Sequence, residues 1–224
     1  MKKHVLSLGG SIVVPDEVDV DFLINFKKLI IKYIPENVFY FIVGGGKTCR
    51  KYQNVLRDLN INEDGALDWM GIKSTHLNAF LLKSLFGDLT SDEIIIDPSD
   101  LPEEGKQIYF GGGWKPGWST DYVSVMLAKE LGLKTVVNLS NIDYVYDKDP
   151  RKHDDAQPLK TASWAQIRAL VGDKWVPGAN LPFDPIACKL AEKEGSSVII
   201  MKGTNLENLE QYFKGEAFEG TVIG

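Results

Sequence analysis

The chain is poor in the residues that build metal centres and disulfide frameworks. Its 224 residues include two cysteines, Cys49 and Cys188, without CxxC spacing, and three scattered histidines, His4, His76 and His153. Zinc sites and disulfide scaffolds need clustered ligands or paired thiols, so any metal must be held by oxygen. Long apolar runs are missing too. The run that follows His4 meets Gly9-Gly10 after a few residues, too short for a signal segment or a membrane span; a cytoplasmic protein with no membrane partner is expected. No basic tract is interleaved with aromatics, and the formal net charge is −6, which leaves no long-range attraction for nucleic acid. The phosphate-binding pattern Gly-x-x-x-x-Gly-Lys followed by Ser or Thr is absent, as is Gly-x-Gly-x-x-Gly, which argues against P-loop kinases and dinucleotide oxidoreductases.

What the chain does have is glycine at the ends of apolar runs. Three such junctions stand out: Leu8-Gly9-Gly10-Ser11, Val43-Gly44-Gly45-Gly46-Lys47, and Phe110-Gly111-Gly112-Gly113. After the third, Trp114-Lys115-Pro116-Gly117-Trp118 leads to Ser119-Thr120-Asp121, an N-cap cluster opening a helical pattern through Val123, Met126, Leu127 and Leu131 to Gly132. Glycine lets a backbone approach a ligand closely, and the first turn of the next helix offers unpaired N–H groups to an anion. Each junction therefore reads as a place for a phosphate.

Apolar spacing predicts strands at 4–8, 38–43, 94–96, 108–110, 134–139 and 198–201, with an edge strand at 221–223. Helices are expected from Phe22 to Tyr33, from Cys49 through Tyr52, Val55, Leu56 and Leu59, from Asp64 to Phe86, after Ser163, around Ile186 to Ala191, and over 206–213. Residues 151–162 read as a solvated charged excursion, and 172–185 as a Gly/Pro-rich loop. Strands alternating with helices predict a mostly parallel sheet covered on both faces, with its loops converging at the carboxyl ends of the strands. Asp121, Asp143 and Asp149 lie at that edge and are placed to reach Mg2+ or a ribose, while Lys47, Arg50 and Lys115 supply local positive charge. Several phosphate loops facing one cleft suit phosphoryl transfer, which needs in-line positioning and charge neutralisation more than covalent help. Asp68, early in its helix, reads by itself as a dipole-favouring acid.

These residues resemble the amino acid kinase family and, within it, the archaeal type of uridylate (UMP) kinase. The likeness rests on Leu8 to Ser11, Val43 to Arg50, Asp68-Trp-Met-Gly71, Gly113 to Asp121, Asn141 to Pro150 and Phe183 to Lys189, and spans nearly the whole chain. It implies one α/β domain over 1–224, a three-layer α/β/α sandwich whose residues to about 118 form an acceptor lobe and whose residues from about 119 form an ATP lobe. It further implies transfer of the ATP γ-phosphate to UMP with Mg2+, in pyrimidine nucleotide synthesis, by a homo-oligomer, usually a hexamer. By the resemblance, Gly9, Gly10, Gly46, Arg50, Ser140, Asn141, Tyr146 and Asp149 bind ATP. Gly45, Asp68, Trp114, Lys115, Pro116, Gly117, Trp118, Ser119 and Thr120 bind UMP. Lys47 and Asp121 are the catalytic candidates, Lys47 because the lysine that acetylglutamate kinases carry two residues before the first Gly-Gly is here Ser7. Asp184 stands where those enzymes have a second lysine and uridylate kinases an acid. No histidine stands soon after the second glycine loop, unlike in isopentenyl phosphate kinases.

Trp114, Trp118 and Tyr144 depart from the family pattern. The two indoles either stack on a base or fill a tighter core. The alternatives to UMP kinase are a sister enzyme acting on another small phosphate or carboxylate, and a non-catalytic nucleotide- or oxyanion-binding protein of the same fold.

Overall fold

The computed structural model describes residues 1–172 and 181–224. Its elements run β1 (Lys2–Leu8), α1 (Gly10–Val13), α2 (Val20–Tyr33), β2 (Asn37–Val43), α3 (Gly46–Asp58), α4 (Asp64–Phe86), β3 (Ile108–Gly111) and α5 (Thr120–Glu130). They continue with β4 (Thr135–Ser140), β5 (Val145–Tyr146), β6 (Pro158–Leu159), β7 (Thr161–Ala162), α6 (Trp164–Val171), α7 (Pro185–Lys193), β8 (Ser197–Lys202), α8 (Leu206–Lys214) and β9 (Thr221–Ile223). Seven strands form one sheet in the order β3-β2-β1-β4-β8-β9-β7. From β3 to β8 every pairing is parallel, and β9 runs antiparallel to β8.

Alternation along the strands explains the three layers. In β2, Val38, Tyr40 and Ile42 point to one face, where α5, α6 and α7 bury Val123, Leu127, Ile167, Ala187 and Ala191. Phe39, Phe41 and Val43 point to the other, against Phe26 and Ile30 of α2, Leu82 and Phe86 of α4, and Leu209 of α8. All seven residues of β2 are buried, so truncating Phe41 is expected to cost roughly 3–5 kcal/mol.

Three expectations need correction. Ile94–Ile96 is not a strand: Ile95 alone bridges Gly111, because the third glycine run packs against its backbone. The excursion at 151–162 contains β6, paired with β5, and β7, which closes the sheet. With β7 outside it, β9 is an interior strand and not an edge. Ile12 and Val13, past the first glycine corner, form one helical turn that is buried under the second face. Of the loop expected at 172–185, residues 173–180 lie outside the described residues.

α3 is inverted with respect to its sequence pattern. Tyr52, Val55 and Leu59 are exposed, while Gln53 is buried, its Nε2 donating to the Leu67 carbonyl at 2.9 Å. The polar side of α3 faces inward because it lines a cavity.

Candidate active site

Beyond the carboxyl ends of β1, β2 and β3 lies a cavity of about 350 Å³. Parallel βα units place it there, since the strands end together and the following helices begin together. The first turns of α3 and α5 open onto it, and α7 starts beside it at Asp184 and Pro185. With the first glycine corner at Gly10, four segments far apart in sequence thus present helix N-termini or glycine backbone to one space, an arrangement suited to anions.

The glycines at the first two junctions answer first to packing. A Cβ on Gly10 would lie 2.0 Å from the Gly46 nitrogen and 2.5 Å from the Gly44 carbonyl carbon. The two loops lie backbone on backbone, and Gly46 has a φ of +59°. The third run differs from the expected phosphate nest. Its amides are already engaged: Gly112 N donates to Ile95 O at 3.2 Å and Gly113 N to Thr75 Oγ1 at 2.7 Å. His76 Nε2 lies 2.7 Å from the Gly113 carbonyl. That run anchors β3 to α4 and lends the cavity a wall.

Gly10, Gly45, Gly46, Arg50 and Asp68 line the cavity, together with Lys115, Trp118, Ser119, Thr120 and Asp121. Pro116 and Gly117 belong to the same loop, and Gly117 N donates to Asp68 Oδ2 at 2.8 Å. Burial pushes the Asp68 carboxyl up, and the Gly117 N–H opposes it. The two indoles part ways. Trp114 packs against the core and carries the Lys115 ammonium 3.6 Å from its ring centroid; Trp118 lines the cavity.

The remaining positions stand elsewhere. Lys47 forms an ion pair with Asp16 at 2.9 Å and does not line the cavity. Gly9 and Ser140 meet behind the first glycine corner, where Gly9 N donates to Leu139 O at 2.9 Å. Asn141 is exposed, Tyr146 lies on β5, and Asp149 is paired with Arg151 at 3.0 Å. Ser140 ends β4, and none of these residues lines the cavity.

At the floor, Asp121 Oδ1 accepts from Asn138 Nδ2 at 2.9 Å and from Ser7 Oγ at 3.3 Å. Its Oδ2 accepts from Asp184 N at 3.3 Å. Burial first, and the neighbouring Asp184 carboxylate second, push Asp121 up to about 7. Asp184 caps α7, its Oδ1 accepting from Ala187 N at 2.8 Å, and its Oδ2 is buried with no hydrogen-bond partner among the described residues. A buried carboxylate oxygen left unpartnered calls for a proton or a cation. That oxygen, beside the Asp121 carboxylate, suits a hard divalent ion that completes its shell with water and phosphate oxygens. Among the described residues, no group of three or more His, Cys, Asp or Glu could hold a metal by itself.

Sequence reasoning passed over Gln53, Thr75 and Cys49, all cavity-lining. The one signal for Gln53 was a polar residue between apolar neighbours on a helix, which spacing alone assigns to solvent. No helix among the described residues is long and apolar enough to cross a membrane.

Comparison with known proteins places this geometry. The chain is 32% identical to a uridylate kinase of Pyrococcus abyssi over 222 residues, 98% of each chain. It is 33% identical to one of Thermoplasma volcanium, covering 98% of this chain and 96% of the other. The solved uridylate kinase from Archaeoglobus fulgidus superposes with a TM-score of 0.82 at 32% identity over the full length of both. A UMP kinase from Ureaplasma parvum, at 16% identity and TM-score 0.79, shares the fold. Residues 2–202 match the model of the amino acid kinase family, and with relatives matched end to end the chain belongs to that family.

Proposed function

We propose that this protein is a UMP kinase, transferring the γ-phosphate of ATP to UMP to give ADP and UDP. The observation that carries the reading is the single cavity in which Asp68 and the 115–120 loop face the glycine corner at Gly10 and the Asp121–Asp184 pair. Relatives bearing the name uridylate kinase along their whole length support it. UMP occupies the side lined by Gly45, Asp68, Lys115 and residues 118–120, and ATP lies along Ser140, Asn141, Tyr146 and Asp149. Its phosphates reach over Gly9 and Gly10 toward Gly46 and Arg50. The acceptor and donor sides correspond to lobes dividing near residue 118 within one domain.

Mg2+ would be held by Asp121 and Asp184 together with phosphate oxygens, and would neutralise charge on the transferred group. The chain's own residues supply the rest. Arg50 and the first turns of α3 and α5 bind phosphate oxygens, Asp68 orients the acceptor ribose, and the Gly10–Gly46 contact holds the two glycine loops at fixed separation. Lys47 leaves Asp16 to pair with the phosphates, in place of the lysine absent at Ser7. The setting is the cytoplasm and pyrimidine nucleotide synthesis, and the assembly a homo-oligomer, a hexamer by family resemblance.

An assay of Mg2+-dependent ADP release across UMP, CMP, dUMP, AMP, acetylglutamate and isopentenyl phosphate tests this directly. UMP is expected to give the highest kcat/KM. Preference for another acceptor, or ATP binding without turnover of any of them, overturns the assignment.

A further inference from the structure

Of the two indoles that set this chain apart, only one is available to a ligand. Trp114 is packed against the core and covered by the Lys115 ammonium. Trp118 is half-buried and lines the cavity. Behind it, the Tyr122 ring lies 4.0 Å away, centroid to centroid, at an interplanar angle of 34°, and the Trp114 ring lies 6.4 Å away at 30°. Neither of those two rings lines the cavity. Tyr122 is itself fixed, since its N–H donates to Ser119 Oγ at 3.2 Å at the start of α5. The turn carrying Trp118 is closed by Trp118 N to Lys115 O at 3.3 Å and tied to α4 by Gly117 N to Asp68 Oδ2 at 2.8 Å. A rigid aromatic plane, backed by two further rings, therefore stands beside the carboxylate assigned to the acceptor's ribose.

We propose that Trp118 is the stacking surface for the acceptor's pyrimidine ring, and that it gives the acceptor site its selectivity for a nucleotide over an acceptor without a planar base. The inference rests on the UMP kinase reading and adds to it the residue that recognises the base. Stacking suits this site because a preorganised ring loses little freedom on binding, and every base presents a π-face. Asp68 and the phosphate-binding backbone recognise only sugar and phosphate. An acceptor lacking the base therefore forgoes the Trp118 contact and nothing else.

Calorimetric titration of UMP and of ribose 5-phosphate into wild type, Trp118→Ala and Trp118→Phe separates base recognition from loop bracing. Trp118→Ala is expected to raise the Kd for UMP roughly 5- to 100-fold while leaving that for ribose 5-phosphate within about 2-fold, and Trp118→Phe to recover most of the UMP affinity. The KM for UMP should rise by the same factor. Equal weakening of both ligands would mean that Trp118 only braces the loop, and overturns the proposal, as does an unchanged Kd for UMP. Wild-type protein that binds UMP in this pattern without phosphorylating it overturns the kinase reading and leaves Trp118 as the base contact; wild-type protein that binds no UMP overturns both.

Discussion

Asp121 and Asp184, 63 residues apart in the chain, meet at the cavity floor, where the backbone N–H of Asp184 donates to Oδ2 of Asp121 at 3.3 Å. Both oxygens of Asp121 are engaged, the other one by Asn138 and Ser7, whereas Asp184 has one oxygen held by the first turn of α7. The remaining oxygen of Asp184 is buried and has no partner among the described residues, so the pair is costly when fully ionised and is relieved by a proton or a cation.

That cost has a pH signature. Asp121 titrates near 7 in the folded, ligand-free protein, whereas in the unfolded chain it loses its proton near pH 4. Between those values the folded state holds more protons, so stability falls as pH rises through the window and levels off above it. Asp121→Asn removes the dependence. Urea unfolding across pH 4 to 8 should show the difference between the two proteins shifting in the variant's favour by on the order of 2–4 kcal/mol. Parallel stability curves would contradict the elevated titration.

Asp68 has two roles in this structure, holding the Gly117 N–H and facing the acceptor cavity. Asp68→Ala should raise the KM for UMP about 10-fold or more, the scale of a lost charge-assisted hydrogen bond, with the KM for ATP changed by less than about 2-fold. Equal loss for both nucleotides would place Asp68 outside acceptor binding.

Lys47 and Asp16 form an ion pair in which both side chains are substantially exposed, an arrangement worth little to stability and easily exchanged for a phosphate. Lys47→Ala is therefore expected to leave Tm unchanged within about 2 °C and to lower kcat by about 10-fold or more with little effect on KM. Unchanged turnover moves the neutralising charge to Arg50 and Lys115, the cations that already line the cavity.

Two glycine substitutions separate packing from flexibility. Gly10→Ala drives a methyl into the Gly46 and Gly44 backbone and should destabilise by on the order of 3 kcal/mol or more, with loss of activity. Gly65→Ala, in the first turn of α4 with nothing within 4 Å of the added carbon, should stabilise by about 0.5 kcal/mol. Thermal unfolding of the two variants measures both, and a mild effect at Gly10 would refute the backbone contact.

Local chemistry made much of the chain legible without coordinates. The span of α4 from Asp64 to Phe86, the Ser119 cap of α5, the Ser163 capping box of α6 and the continuous apolar run of β2 all follow from neighbours within a few residues. So do the glycine corners and the parallel order they imply. Other features depend on what lies across space. Spacing put Tyr52, Val55 and Leu59 inside, but the cavity claims the opposite side of α3 and buries Gln53. The strand order that makes β9 interior depends on β7, two residues that acquire their conformation by pairing. Trp114 and Trp118 are chemically alike and four positions apart; only the core beneath one and the cavity before the other separate them. The same holds for Asp121 and Asp184, whose titration and fitness for a cation arise from burial and mutual proximity, quantities that a linear chain does not possess until it folds.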